Sequence, residues 1–414
     1  MISRRIAIKT AAGLAAAATV GSHSASAADK VIKVGINLSF TGADASNAAR
    51  IGNGAIIAFE EANAAKRVPG YTFDLVKLDD ATATATAGQY DPAQAATNAR
   101  TMVSDKGYVA ALGPQMSGAG KAMAPILSQG NLAIITPAST NPDLTDPKFA
   151  QQYRPAGKAI YFRTVATDAY QGPNMANYMA DTLKVKSIFV LDDSGAYGVG
   201  LADAFQARAE KKGIKVLGRD RLDPKAADYA PILTKIKSLN PQALYYGGVA
   251  QAGVKLAKQA YEIIPDTIKA GGDGMQTVDL LKGAGFPAVE GWYATVASPH
   301  VTEDPIAAKF SDRYFARFKE RPDDYTITCY TGALVIIEAV KKVAAAGKPV
   351  TRDLVRDAIQ TVKLPDSMLG PIEFDEYGDL RNKVISVFQI RKDGLKPLED
   401  PTAQYKYVGV APMA

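Results

Sequence analysis

Four clusters of small and polar residues stand directly behind apolar runs in this 414-residue chain. Gly113-Pro-Gln-Met-Ser117 follows Tyr108–Leu112, and Thr136-Pro-Ala138-Ser139-Thr140 follows Leu132–Ile135. Asp192-Asp-Ser-Gly-Ala-Tyr197 follows Ser187–Leu191, and Gly271-Gly-Asp273-Gly follows Ile268–Ala270. If those runs are strands of an open parallel sheet, their carboxyl ends are where a ligand would bind. Hydroxyls and unpaired N–H groups at helix N-termini favour an anion, so Ser117 and Thr140 suit a carboxylate. Asp273 offers the opposite charge, matched to an ammonium. Tyr197 combines a hydroxyl with an apolar ring face. Each residue taken alone also reads as a helix cap or turn residue. As a set they describe a cleft for a small zwitterion.

Other chemistries find less support. The chain has two histidines, His23 and His300, and one cysteine, Cys329, which leaves no His-rich metal site and no internal disulfide. His300 lies in a Pro-flanked loop, and no Gly-x-Ser-x-Gly elbow accompanies it. The run from Gly113 to Lys121 fails as a phosphate loop, because Ala122 stands where a magnesium-holding Ser or Thr is needed. Gly195, Gly198 and Gly200 miss the dinucleotide spacing. Asp79-Asp80 and Asp192-Asp193 read as solvated helix-capping carboxylates rather than metal ligands. The expectation is a binding protein rather than an enzyme, with no cofactor and no metal.

These residues need a scaffold, and the hydrophobic pattern describes one. Apolar runs and helical periodicities alternate from Lys30 onward, which predicts parallel sheets with helices on both faces. Two such series occur, the second starting near Tyr161. After them come helices near 307–319, 328–345 and 352–361 and two final strands, Ile372–Phe374 and Val384–Ile390. The N-terminus reads as an export signal: Arg4, Arg5 and Lys9, an apolar run from Thr10 to Val20, and the small residues Ala25-Ser26-Ala27, with cleavage expected after Ala27. Either the twin-arginine or the general secretory route fits. Removing that segment leaves 45 basic against 42 acidic residues, scattered rather than clustered, which argues against a nucleic-acid partner.

Several blocks then resemble, in order, the branched-chain amino-acid (Leu/Ile/Val-type) binding proteins of ABC importers, within the type I periplasmic binding proteins. They are Ile134-Ile-Thr-Pro-Ala-Ser-Thr-Asn-Pro-Asp-Leu144, Asp168-Ala-Tyr-Gln-Gly-Pro173, Tyr197-Gly-Val-Gly200, Tyr245-Tyr-Gly-Gly248 and Gly370-Pro-Ile-Glu-Phe-Asp-Glu-Tyr-Gly-Asp379. The resemblance implies an α/β fold of two Rossmann-like lobes joined by a three-strand hinge that closes over the ligand. Lobe one would combine residues 31–165 and 298–369, lobe two 166–297 and 370–395, with 396–414 a C-terminal tail. Crossings would lie near 164–168, 295–299 and 368–371. By the same resemblance Ser117, Ala138 and Thr140 hold the ligand carboxylate, Tyr197 covers the ligand, and Asp273 takes the ammonium.

Three departures bear on specificity. Asp273 stands where the branched-chain binders have Glu. Val249 and Asn47 stand where they carry aromatics that wall the side-chain pocket. Thr82 and Met116 replace a family disulfide. The resemblance further implies a periplasmic monomer delivering an amino acid to a membrane permease. An amide, urea, aromatic-acid or sensory role on the same fold stays open, as does, with less support, an exported enzyme.

Overall fold

The computed structural model describes residues 29–83, 90–398 and 400–414. The expected export signal at 1–27 lies outside them. The first sheet contains β1 (Lys30–Leu38), β2 (Tyr71–Asp79), β3 (Tyr108–Leu112), β4 (Ile134–Thr136) and β5 (Tyr161–Arg163), all parallel, in the order β2-β1-β3-β4-β5. The inner strands are buried on both faces, as befits strands covered by crossover helices, and every residue of β3, β4 and β5 is buried, whereas the edge strand β2 is mostly half-buried. The connecting helices are α1 (Ala45–Ala64), α2 (Pro92–Ser104), α3 (Ser117–Gln129) and the single turn α4 (Ala150–Tyr153).

The chain then crosses to a second sheet through residues 164–167. That sheet takes α5 (Asp168–Asp181), β6 (Ser187–Asp192), α6 (Ala196–Lys211), β7 (Lys215–Arg221), α7 (Ala230–Leu239) and β8 (Ala243–Gly247). It continues with α8 (Ala250–Ile263), β9 (Ile268–Gly271), α9 (Val278–Ala284) and β10 (Tyr293–Val296). A second crossing at 297–304 leads back to α10 (Pro305–Phe318), α11 (Asp324–Ala345) and α12 (Arg352–Gln360), which cover the first sheet. A capping box between Asp323 and Thr326 starts α11. Its close approach to α1 requires a glycine: a Cβ on Gly54 would strike the Thr326 carbonyl. The chain ends in the second sheet with β11 (Ser386–Ile390), α13 (Pro401–Gln404) and β12 (Tyr405–Val410), giving β12-β11-β10-β9-β8-β6-β7 with β11 and β12 antiparallel.

Three details differ from the sequence reading. Residues 396–414 are not a tail, because β12 pairs with β11 along the edge of the second sheet. Ile372–Phe374 is not a strand. Ile372 and Phe374 make only isolated bridges, to Leu364 and Leu380, and both side chains pack into the core, Phe374 against Phe162 with 5.1 Å between ring centroids. The third crossing also falls later than 368–371, after Leu380, because residues 372–380 are bound to the first lobe.

The group that binds them is Arg163, which is fully buried at the end of β5. Its guanidinium donates to Asp379 Oδ1 at 2.7 Å, the Ser139 carbonyl at 2.7 Å, the Asn141 carbonyl at 2.9 Å and Thr145 Oγ1 at 2.8 Å. One planar fork thus fixes the loop after β4 to the loop at 375–379, where Asp375 Oδ1 accepts the N–H groups of Tyr377, Gly378 and Asp379. Arg163→Ala would strand two buried carbonyls and a carboxylate, and should lower unfolding stability by about 3–5 kcal/mol in urea titrations. Arg163→Lys should not restore it, since an ammonium cannot span four acceptors. A loss under about 1 kcal/mol for the alanine variant would show that the fork does not brace this junction.

Candidate functional site

Between the lobes, at the carboxyl ends of the strands, lies a cavity of about 40 Å³ that shares Met116, Ser117, Tyr197 and Val249 with an adjoining cleft of about 650 Å³. Of the residues singled out from sequence, Asn47, Ser117, Ala138, Tyr197, Val249 and Asp273 line the small cavity together. Thr140 does not line it. It is fully buried, with its hydroxyl close to the Asp168 carboxyl.

The first lobe contributes a helix start. Ser117 opens α3, whose first N–H groups have no acceptor within the helix. Its Oγ accepts the Asn141 N–H at 3.2 Å and lies 3.4 Å from Ser139 Oγ. Through that bond and the Arg163 fork, the 138–141 loop is held from both sides.

The second lobe contributes Asp273, at the turn after β9, and Tyr197, in the first turn of α6. Asp273 Oδ1 accepts from Tyr197 Oη at 2.5 Å and from Gln171 Nε2 at 2.8 Å. Its Oδ2 accepts from Tyr325 Oη at 2.5 Å. Gln171 also bonds Asp168 Oδ1 and accepts from Thr295 Oγ1, each at 2.8 Å. All of Asp273's partners are therefore neutral. Burial raises the pKa values of both Asp273 and Asp168, because each carboxylate has lost water, and Asp273 further raises that of Asp168. Tyr197 and Tyr325 shift well upward for the same reason, burial first and the Asp273 charge second.

Side-chain hydrogen bonds join the lobes across the cleft, from Tyr325, carried by α11 of the first lobe, to Asp273, and from Asn141 Nδ2 to the Ala196 carbonyl at 2.9 Å. Sequence reading missed Tyr325, Asp168 and Gln171. Asp168 and Gln171 stood inside a recognised block, Asp168 to Pro173, but nothing in a helical Tyr325 separates it from an ordinary core aromatic.

The cavity is also lined by the polar side chains of Asp44, Asn47, Gln115 and Thr277, set among the hydrocarbon of Ile51, Met116, Val249 and Ala250. Burial pushes the Asp44 carboxyl from 3.8 to about 7, with Asp279 adding repulsion and the Asn47 and Gln115 amides opposing the shift.

The other candidates have structural duties. Asp80, Asp192 and Asp193 are buried rather than solvated. Asp80 accepts from Asn37 and Ser39, Asp192 pairs with Arg219, and Asp193 caps the N–H groups of Gly195 and Val249. His300 sits at the second crossing, 3.0 Å from Asp324 and stacked on Tyr407, and does not line this cavity. Cys329 is buried in α11. No three His, Cys, Asp or Glu side chains converge on a metal position among the described residues.

Residues 31–395 match the family model described as periplasmic binding protein. The Leu/Ile/Val-binding protein homolog 3 of Brucella melitensis is 29% identical over 382 residues, spanning 92% of this chain and 97% of the relative. A leucine-, isoleucine-, valine-, threonine- and alanine-binding protein of Pseudomonas aeruginosa is 29% identical, spanning 92% and 96%. The crystal structure of a leucine binding protein from Thermotoga maritima superposes with a TM-score of 0.77 at 25% identity, covering 92% of this chain and 98% of the other.

Asp44 also makes the cavity sensitive to pH. With its carboxyl raised to about 7 in the fold and near 3.8 when unfolded, the folded chain holds a proton that the unfolded chain has released. Across that window, stability from this group is present at the acid end and lost as pH rises through the folded value. Asp44→Asn should therefore gain melting temperature relative to wild type between about pH 5 and pH 8. Parallel melting curves over that range would refute a buried, proton-holding Asp44.

Proposed function

The chain belongs to the periplasmic binding protein family, and we propose that it is the extracytoplasmic solute-binding component of an ABC importer. It captures a small amino acid between its lobes and delivers it chemically unchanged to a membrane permease. The observation that carries this reading is Asp273, a carboxylate buried at the cleft with three neutral donors and no basic side chain bonded to it. A buried charge without a counter-charge is costly, and a ligand ammonium is the group that offsets it.

The opposite end of the cavity fits a carboxylate. Ser117, which lines the cavity, opens α3, and the N–H groups of a helix start favour an anion. In this mechanism the ligand enters an open cleft and rests on the first lobe through its carboxylate. Rotation about the three crossings then brings Tyr197 and Asp273 over its amine. Closure also places Tyr325 on Asp273 and Asn141 on Ala196, so bonds between the lobes and bonds to the ligand form together. The closed form is what a permease would recognise. No helix among the described residues is long and apolar enough to cross a membrane.

Calorimetry on the purified chain with a panel of amino acids tests the assignment. For whichever amino acid binds, Asp273→Asn should weaken affinity by about 100-fold or more, as expected when a buried ammonium loses its charged partner. Ser117→Ala should cost about tenfold, the worth of one hydrogen bond to a charged group. Unchanged affinity in Asp273→Asn would remove the amine from the cleft, and recovery of a transformed ligand would replace binding with catalysis.

A further inference from the structure

What enters the cavity beyond the head group is decided by its other wall. Asp44 ends the short turn that precedes α1, and it is 8% exposed. Its Oδ2 makes no hydrogen bond, and neither does Gln115 Oε1; both residues line the cavity. Asp279, on α9 across the lobe boundary, lies close enough to repel Asp44 and has an unbonded Oδ2 of its own. The wall thus keeps two oxygens, Asp44 Oδ2 and Gln115 Oε1, without a partner even though the Asn47 and Gln115 amides lie beside the Asp44 carboxyl, and Asn47 and Val249 add no aromatic surface to it.

An alkyl side chain placed against this wall would cover the Asp44 and Gln115 oxygens without bonding them, so their desolvation would go uncompensated. A side chain that ends in N–H groups supplies what both oxygens lack. Building on the head-group reading above, we propose that the cleft selects an amino acid whose side chain ends in an N–H donor, an ammonium, guanidinium or carboxamide, and discriminates against branched alkyl side chains. Asp44, which an arriving cation would favour in its ionised form, and Gln115 receive that donor. Ile51 and Val249 flank the methylenes leading to it. The selection resembles other sites built to hydrogen-bond a ligand, which reject the analogue lacking the donor far more strongly than apolar pockets reject a missing methyl group.

Titration of the full chain with leucine, valine, asparagine, glutamine, ornithine, lysine and arginine tests the proposal. At least one donor-bearing amino acid should bind about 100-fold more tightly than leucine or valine. Whether amides or amines lead identifies which donor is used. Asp44→Leu should lower that affinity by about 10- to 100-fold and bring leucine closer to it. Gln115→Met, on a separate element, should act in the same direction if Asp44→Leu fails to fold. Leucine or valine binding as tightly as every donor-bearing amino acid overturns the selection while leaving the head-group reading intact. If instead Asp273→Asn leaves the best ligand unaffected, or no amino acid binds, the head-group reading falls and this one with it.

Discussion

A single buried carboxylate organises the cleft. Asp273 receives hydrogen bonds from Gln171 on α5, Tyr197 on α6 and Tyr325 on α11. Two of these donors come from the second lobe and one from the first, so the group proposed to meet a ligand amine also ties the lobes together. Neutral donors ease its burial without cancelling its charge, and burial still raises its pKa. A charge left in that condition couples two events: drawing the lobes together deepens its burial, and an incoming cation relieves it. Affinity and closure are then one process. A ligand lacking an amine would lose more than one contact, because it would leave the closed state carrying an unpaired charge.

A second constraint lies beneath the first lobe's half of the site. The 138–141 loop has little regular structure of its own, and its precision comes from outside. Arg163 holds the carbonyls of Ser139 and Asn141, while Ser117 Oγ holds the Asn141 amide. Because the same guanidinium binds Asp379, the loop's placement depends on a segment more than two hundred residues away. That dependence also moves the third crossing, since residues up to Leu380 are committed to the first lobe before the chain returns to the second sheet.

The polar wall around Asp44 alters what family membership says about the ligand. The relatives named for leucine, isoleucine and valine are similar to this chain along most of its length, but their names carry no information about Asn47, Val249 or Asp44 here. The chemistry of the wall must be read from these side chains.

Much of this was legible in one dimension. Strands buried on both faces appear as short apolar runs, and a ligand site at their carboxyl ends appears as small polar residues in the next few positions. That is how Ser117, Tyr197 and Asp273 could be picked out. The alternation of those runs with helical periodicities sufficed for two α/β lobes. Tyr325, Gln171 and Asp44 could not be assigned this way, because a tyrosine in an apolar helix or an aspartate before one has the same local pattern whether it faces a core, solvent or a ligand. Nor could β12 or the third crossing, where pairing partners lie on distant segments. Local periodicity reflects which face of an element avoids water. Which elements meet, and which charge is left without a partner when they do, emerges only from packing the whole chain.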